Sequence, residues 1–342
     1  MLFPQLIDWG LSRVLKAARA NNNAALDPER RYVVFSDHHK GAGSGADDFL
    51  KSKPTYLRAL DHYLARDYTL IILGDAEELW EEPIGRVVAT HRDVFLSEAR
   101  FHAQGRYVRI FGNHDSNWAS PRQVKRHLHP FFPDLQVSEG LVLRYEDPEP
   151  EKSGEILLLH GHQGTLDSEV FAPISRLLVR GLWRTLQILI GVTGTTPAKD
   201  ACLRGELDTR MYQWAAGQPK LLLLSGHTHR PVWSSRTLLQ TKVEALTALE
   251  MAQAHIAIPG YFARRARLRY EIRALTEQDQ PCNDTLKTRA SYLNDGCCSF
   301  SDGSVTAYEI DEAQLRLVRW DRSAAAPEQV AGASLADLFA TL

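Results

Sequence analysis

Five short apolar runs in this chain of 342 residues are each followed closely by aspartate, asparagine or histidine. The runs cover residues 32–35, 70–73, 107–111, 156–159 and 221–224. The polar residues that follow them are Asp37, His39, Asp75, Asn113, His160, His227 and His229. Carboxylate, amide and imidazole groups together suit divalent ions of intermediate hardness, such as manganese, iron, cobalt or zinc. The pattern therefore predicts a metal site.

The spacing within these motifs adds detail to that prediction. Asp37 and His39 stand two residues apart, which would place both side chains on one face of an extended segment. His227 and His229 repeat this spacing. Two metal ions about 3.5–4 Å apart need a bridging ligand, and a carboxylate such as Asp75 is the natural bridge. Asp75 is therefore the candidate bridging ligand of a two-metal site.

The apolar runs have the length and the polar boundaries of buried strands. Helical patterns lie between several of them, for example at residues 54–65 and 90–103. The alternation indicates a layered α/β fold, in which ligands collect beyond the carboxyl ends of the strands. We also expect a hairpin from 141–145 and 155–159, helices over 165–217, a strand at 305–310 and a helix at 333–342.

The composition is that of an ordinary soluble globular protein. Apolar residues make up 44% and charged residues 24%, which excludes a disordered or collagen-like chain. Lysine and arginine total 40 against 42 aspartates and glutamates, so we expect no nucleic-acid partner and interpret the basic run at 264–269 as a solvated face. The four cysteines form no CxxC pair, which disfavours disulfides and thiolate zinc and favours a cytoplasmic location.

Residues 1–30 are predicted to carry an N-terminal amphipathic helix. Ile7, Leu11 and Val14 recur at helical spacing, while Arg13 and Lys16 give the helix a basic side. The segment lacks the uninterrupted apolar core and the cleavage site of a signal peptide. Two roles stay open, docking on the protein body and contact with a membrane surface. No run reaches the roughly 18 charge-free apolar residues of a membrane span.

Together the five motifs resemble the calcineurin-like metallophosphoesterase family. Its pattern is D-x-H, GD-x-x-(D/E), GNH(D/E), a later H in an HG turn, and GHxH. In this chain the pattern reads Asp37-His38-His39, Gly74-Asp75-Ala76-Glu77-Glu78, Gly112-Asn113-His114-Asp115, His160-Gly161-His162 and Gly226-His227-Thr228-His229. The resemblance covers about residues 31–310. It implies a four-layer α-β-β-α sandwich over residues 31–342, with a helical insertion, or lid, over the strand ends at about 165–217.

The resemblance also implies roles for these residues. The two metal ions would be held by Asp37, His39, Asp75 and His229 on one side, and by Asp75, Asn113, His160 and His227 on the other. Manganese is the first expectation, with iron, zinc and cobalt as alternatives. A hydroxide bridging the ions would attack a phosphodiester or pyrophosphate. His114 would stabilise the transition state or protonate the leaving oxygen, and Asp115 would orient the ring of His114. The chain is thus expected to be a metal-dependent phosphoric ester hydrolase.

Within that family, one branch has a similar pattern. Glu78-Leu79-Trp80, the helical insertion and Tyr292-Leu293-Asn294-Asp295-Gly296 resemble the UDP-2,3-diacylglucosamine pyrophosphohydrolase group. That branch has arginine where this chain has His114 and aspartate where it has His162. We therefore expect a related phosphoesterase with a small-molecule substrate, of which a lipid-linked or sugar-nucleotide ester is one class. The alternatives are a cyclic-nucleotide or monoester phosphatase without a lipid connection and, more remotely, an inactive scaffold protein.

Candidate substrate contacts lie beside the motifs and in the insertion. Lys40, Glu78 and His162 adjoin the predicted ligands. Arg180 and Arg184 stand four residues apart on an apolar helical stretch of the insertion, where they form a basic stripe. This stretch is interpreted either as a cap helix or as a lid whose arginines meet phosphate and whose apolar face admits an acyl chain or rests on a membrane. The second interpretation implies peripheral contact at the inner membrane surface.

Overall fold

A computed structural model describes residues 4–27, 29–44, 47–164, 201–234, 236–253, 258–278 and 289–342. The helices are α1 (Pro4–Asn21), α2 (Lys53–Leu64), α3 (Ile84–Thr90), α4 (Arg92–His102), α5 (Pro121–His127), α6 (Ala201–Ala216), α7 (Leu238–Gln253), α8 (Tyr261–Gln278) and α9 (Leu335–Ala340). Short 3₁₀ turns cover Asp48–Lys51, Ser116–Ala119 and Pro150–Lys152.

The strands are β1 (Asn23–Ala25), β2 (Arg31–Phe35), β3 (Tyr68–Leu73), β4 (Tyr107–Ile110), β5 (Val137–Ser138), β6 (Gly140–Tyr145), β7 (Gly154–Leu159), β8 (Leu221–Ser225), β9 (Val232–Trp233), β10 (Arg236–Thr237), β11 (Tyr292–Asn294), β12 (Val305–Asp311), β13 (Gln314–Trp320) and β14 (Glu328–Ser334). They form two seven-stranded sheets, in the orders β1-β6-β7-β8-β11-β9-β10 and β14-β13-β12-β2-β3-β4-β5. The strands β2 to β5 are parallel neighbours in one sheet, and β7, β8 and β11 are parallel neighbours in the other. Because parallel strands end at the same edge of a sheet, the polar residues that follow them collect at that edge.

Both faces of each sheet are buried, which explains the continuous apolar runs of the sequence. On β2, Phe35 packs against the helices α2 and α4, whereas Val34 packs against the other sheet. On β7, Leu158 lies between the two sheets, whereas Leu157 contacts the cluster of α1 and α6. The layers therefore run helix, sheet, sheet, helix, and the predicted four-layer α/β fold is confirmed.

Helix α1 packs its apolar face on the protein body. Ile7 and Leu11 are fully buried in one cluster with Met211 of α6. On the polar side of α1, Arg13 Nη2 lies 2.6 Å from Glu139 Oε1. The described part of this helix therefore takes the first of the two roles left open, docking on the body. Among the described helices, none is long and apolar enough to cross a membrane.

The helix predicted at residues 90–103 corresponds to α4, whereas Thr90 is the last residue of α3. His91 separates the two, because its backbone (φ −109°, ψ 26°) leaves the helical region. The side chain of His91 turns inward instead, and its Nε2 lies 2.8 Å from Asp47 Oδ2. The helical periodicity of the sequence could not predict this break, because it depends on a buried contact with a distant residue.

The region after His229 contains more regular structure than the sequence predicted. Helices α7 and α8 pack against each other, although their apolar residues show little helical periodicity. The basic run at 264–269 lies on α8, where Arg265 pairs with Glu250 and Arg267 pairs with Glu271. Of the predicted insertion at 165–217, residues 201–216 form α6, while residues 165–200 lie outside the described residues.

Candidate metal centre

The predicted ligands gather at the carboxyl edge of the two sheets. Three overlapping groups of side chains have ligand atoms within 4.8 Å of one another, namely Asp37, His39 and His229, then His39, Asp75 and His114, and finally Asp75, His160 and His227. Asn113 lies directly after β4 and before His114, whose backbone N–H donates to Asp75 Oδ1 at 2.8 Å. The five strand ends therefore deliver their polar residues to one cluster.

The backbone that presents these residues is strained. Left-handed φ values, which non-glycine residues seldom adopt, occur at Asp37 (52°), His39 (50°), Asp75 (47°), His227 (69°) and His229 (56°). Such residues cost about 1–3 kcal/mol each and persist only where the surrounding structure fixes them. The expectation that Asp37 and His39 extend along one face of a strand is thus wrong, because both residues lie in a sharply turned loop after β2.

The first group places a carboxylate between two imidazoles. Asp37 Oδ1 lies 3.1 Å from His229 Nε2 and 3.6 Å from His39 Nε2. The two imidazole Nε2 atoms are themselves 3.1 Å apart. The other carboxylate oxygen of Asp37 accepts from the backbone N–H of His227 at 2.9 Å, which leaves Oδ1 directed at the imidazoles. Three ligand atoms therefore converge on one point.

The third group, of Asp75, His160 and His227, is built around the contact between Asp75 and His160. Asp75 Oδ2 lies 3.1 Å from His160 Nε2 and 3.8 Å from His39 Nε2. The Nδ1 atom of His160 lies 3.0 Å from the carbonyl oxygen of Leu73, so Nδ1 carries the donated proton and Nε2 is the free ligand atom. Asp75 thus belongs both to the group with His39 and His114 and to the group with His160 and His227.

The buried polar atoms of the cluster include two ligand candidates that lack the partner that buried groups normally have. Asn113 Oδ1 and His227 Nε2 form no hydrogen bond within the part of the chain that the structure describes. Both residues are nearly buried, at 7% and 5% exposure respectively. An amide oxygen and an imidazole nitrogen are suitable ligands for a divalent ion of intermediate hardness. The residues present therefore fit a metal site.

The electrostatics favour the metal-binding form at three side chains of the cluster, whereas the neighbouring carboxylates raise the pKa of the His39 and His160 imidazoles against the effect of burial. Burial by itself would raise the pKa of Asp37, but His229 and His160 outweigh it and hold that pKa well below its usual range. The pKa of Asp75 is likewise lowered, because His160 and His114 oppose the effect of burial. Burial lowers the pKa of the His227 imidazole well below its usual range. Two ionised carboxylates and a neutral imidazole are the forms that bind cations.

His114 is held by contacts on two sides. Its Nδ1 lies 2.6 Å from Glu78 Oε2, and its ring stacks on Trp80 with a centroid distance of 4.0 Å. The indole Nε1 of Trp80 donates to the carbonyl oxygen of Asn113 at 2.8 Å. Glu78 also contacts His39 Nδ1 at 3.2 Å. Glu78, predicted as a substrate contact, therefore acts on the imidazoles of the cluster instead.

The predicted orientation of His114 by Asp115 is wrong. The Asp115 carboxylate is fully buried and accepts from the backbone N–H groups of Gly112 at 2.6 Å and Ala76 at 2.9 Å. Burial and the nearby carboxylate of Glu77 raise the pKa of Asp115 to about 6. Asp115 therefore joins the loop after β3 to the loop after β4, and acts on the site through the backbone.

The predicted contact of Lys40 with substrate is also wrong. Lys40 is fully buried, and its Nζ lies 3.2 Å from Glu77 Oε1 and 3.2 Å from Glu98 Oε1. Arg109 completes this buried ionic network through an ion pair with Glu77. The amine points away from the imidazole cluster because two carboxylates in the adjoining core neutralise it.

The remaining substrate candidates divide between the cluster and the undescribed part of the insertion. His162 is 5% exposed and its ring centroid lies 5.5 Å from that of His160. Burial and the charge of His160 lower the pKa of His162 to about 4, so its imidazole is neutral. Arg180 and Arg184 lie outside the described residues.

A supporting loop after β11 escaped the ligand prediction. Asn294 Nδ2 donates to the carbonyl oxygen of Gly226 at 2.5 Å, and Ser36 Oγ donates to Asp295 Oδ1 at 2.7 Å. These contacts tie β11 to the ligand loops after β8 and β2. The signal was present in the sequence, because Asn294 and Asp295 end a short apolar segment in the same way as the ligands do. The strand is only three residues long, Asn294 included, which made it hard to identify.

The geometry agrees with an independent comparison of the sequence with known families. The family model of the calcineurin-like phosphoesterases matches residues 30–231, which is more than half of the chain and includes all five ligand loops. No curated protein matches the chain. The chain belongs to the calcineurin-like phosphoesterase family and is a metal-dependent phosphoric ester hydrolase.

Proposed function

We propose that the protein is a dinuclear phosphoesterase that hydrolyses a phosphodiester or pyrophosphate bond. The observation that carries this proposal is the position of Asp75, whose carboxylate belongs to the His39 group and to the His160 group. One metal ion would be held by Asp37, His39, Asp75 and His229, and the other by Asp75, Asn113, His160 and His227. When bound, the ions supply a water nucleophile of lowered pKa and polarise the phosphoryl oxygens. Manganese is the proposed ion.

The proposed role of His114 is to protonate the leaving oxygen. Glu78 occupies Nδ1 of His114 at 2.6 Å, so Nε2 is the ring nitrogen left to act on substrate. The stacked indole of Trp80 restricts rotation of the imidazole. A positioned imidazole of this kind suits general acid catalysis near neutral pH.

The proposed substrate is a diester or pyrophosphate with a lipid or sugar-nucleotide group. Support comes from the sequence Glu78-Leu79-Trp80 and the segment 292–296, which resemble those of UDP-2,3-diacylglucosamine pyrophosphohydrolases. Trp80 is 39% exposed although it stacks on His114, so indole surface remains beside the cluster for a ring of the substrate. A ring placed there would be bound by stacking as well as by charge.

A substrate panel on metal-depleted and manganese-loaded protein tests this proposal. The panel comprises p-nitrophenyl phosphate, bis-p-nitrophenyl phosphate, a cyclic nucleotide and a UDP-sugar lipid. We expect hydrolysis only after manganese is added, with the diester and the UDP-sugar lipid preferred over the monoester. Preference for the monoester or the cyclic nucleotide would favour the alternative function, a phosphatase without a lipid connection. No hydrolysis and no bound metal would indicate an inactive scaffold.

A matched pair of variants ties any activity to the cluster. Asp75→Asn removes the shared carboxylate charge, whereas Glu149→Gln makes the same change at an exposed residue that pairs with Lys152. We expect the first variant to lose manganese-dependent hydrolysis and the second to keep it. Equal activity of the two variants would show that the hydrolysis arises elsewhere.

A further inference from the structure

A buried carboxylate that belongs to none of the five motifs contacts the loop of His227 and His229 from helix α6. Asp208 is fully buried. Its Oδ1 accepts from Thr228 Oγ1 at 3.0 Å and from Tyr292 OH at 2.7 Å. Its Oδ2 lies 3.2 Å from Arg230 Nη1. Asp208 therefore binds the residues on both sides of His229.

The loop that Asp208 contacts is one that needs external support. His227 and His229 both have left-handed φ values, and such conformations relax unless the surrounding structure fixes them. Thr228 stands between the two, and its hydroxyl is bound by Asp208 at 3.0 Å and by Asn294 Nδ2 at 3.2 Å. The strained segment is thus anchored at its middle residue.

Charge gives Asp208 a second effect on the same loop. Arg230 follows His229 directly and is only 7% exposed, so its guanidinium needs a counterion within the protein. Asp208 supplies that counterion at 3.2 Å. Removing this negative charge would make the potential more positive one residue from a predicted ligand of a dication. Loss of the Asp208 carboxylate would therefore weaken metal binding through electrostatics as well as through the geometry of the loop.

We propose that Asp208 is a positioning residue of the metal centre, which fixes Thr228 and Arg230 and thereby holds the imidazoles of His227 and His229 in place for metal. The inference rests on the metal centre of the proposed function. It adds α6, the helix that follows residues 165–200, to the elements that determine metal affinity.

The test compares Asp208→Asn with Glu309→Gln in the full chain. Glu309 is a suitable control, because it is also a buried acid that accepts from a tyrosine (Tyr63 OH, 2.7 Å) and lies near an arginine (Arg316, 3.6 Å), but on β12. Mn²⁺ affinity is measured by competition with a chelator, and ligand geometry by the absorption spectrum of the Co²⁺ form. We expect Asp208→Asn to weaken Mn²⁺ binding by about 10-fold to 100-fold, as other supporting partners of metal ligands do, and to alter the Co²⁺ spectrum. Glu309→Gln should leave both unchanged.

Equal Mn²⁺ affinities of the two variants would overturn the inference, because both changes would then be merely structural. Thr228→Val and Thr228→Ser provide the test if Asp208→Asn fails to fold. We expect valine to weaken Mn²⁺ binding and serine, which keeps the hydroxyl, to restore it. Equal binding by these two variants would contradict the role of Asp208. Failure of wild-type protein to bind Mn²⁺ would overturn the proposed function together with the inference, whereas binding by wild-type and Asp208→Asn alike would overturn the inference alone.

Discussion

The Nδ1 atom of His114 lies 2.6 Å from the Oε2 atom of Glu78. This contact assigns to Glu78, the last residue of the GD-x-x-(D/E) motif, a task that the sequence suggested for Asp115. It also connects two loops, because Glu78 follows β3 and His114 follows β4. The carboxylate lies beside one ring nitrogen and leaves Nε2 for the reaction in the proposed mechanism.

Replacing His114 by alanine separates a catalytic from a ligand role. If the imidazole protonates the leaving oxygen, His114→Ala should lower turnover of bis-p-nitrophenyl phosphate by about 10²–10⁴-fold while the manganese content stays unchanged. His127→Ala, on α5 and outside the cluster, is the control. Metal analysis beside steady-state kinetics gives the answer. Parallel loss of metal and activity would make His114 a ligand, as its place in one of the three groups permits.

Replacing Asp115 should reduce stability through the backbone. Asp115→Ala leaves the buried N–H groups of Gly112 and Ala76 without their acceptor, which should lower the free energy of unfolding by about 2–6 kcal/mol. Urea denaturation measures this loss of stability.

Glu78→Gln, by contrast, should reduce turnover with a smaller effect on stability. The interpretation of Asp115 fails if Asp115→Ala and the wild-type protein have the same urea concentration at the midpoint of unfolding.

Lys40 should matter for folding and leave substrate affinity unaffected. Lys40→Met leaves the buried carboxylates of Glu77 and Glu98 short of one cation, which should cost about 3–5 kcal/mol. The control Lys53→Met removes a surface pair with Asp93 and should cost less than about 1 kcal/mol. Thermal unfolding and KM are measured on both variants. A raised KM with unchanged stability would show that Lys40 contacts the substrate after all.

Glycine at position 112 should be essential for metal binding. A Cβ atom there would overlap the carboxylate of Asp75 and would lie 2.7 Å from the backbone nitrogen of the same residue. Gly112→Ala should therefore displace the shared ligand and weaken Mn²⁺ binding. Gly85→Ala in α3, where nothing lies within 4 Å of the added carbon, should instead stabilise the protein by about 0.5–1 kcal/mol. Wild-type Mn²⁺ affinity in Gly112→Ala would contradict the position given to Asp75.

The strands and the ligand positions could be predicted because the same local pattern recurs. Residues 156–159 are apolar throughout, since alternate side chains pack on two different layers, and His160 follows at once. The helices α7 and α8 escaped prediction because they pack mainly against each other, so no single apolar stripe marks them. Periodicity reports burial against a sheet more clearly than pairing between two helices.

Side-chain roles were harder to predict than side-chain positions. Lys40 and Asp115 stand beside ligands in the sequence, yet left-handed residues such as His39 turn the chain so that neighbours point to opposite sides. Asp208 is separated from His229 by many residues, and only the tertiary structure brings its carboxylate to Thr228. Sequence adjacency therefore identified the ligand loops but not the residues that hold them.

The most direct test of the account is a titration of metal-depleted protein with manganese. Calorimetry measures binding, and hydrolysis of bis-p-nitrophenyl phosphate is measured in the same samples. The account predicts that two Mn²⁺ ions bind per chain and that hydrolysis appears only as the second site fills. This order follows from the proposed dinuclear centre, in which both ions share Asp75. Full activity with one bound ion, or hydrolysis by the metal-depleted protein, would contradict it.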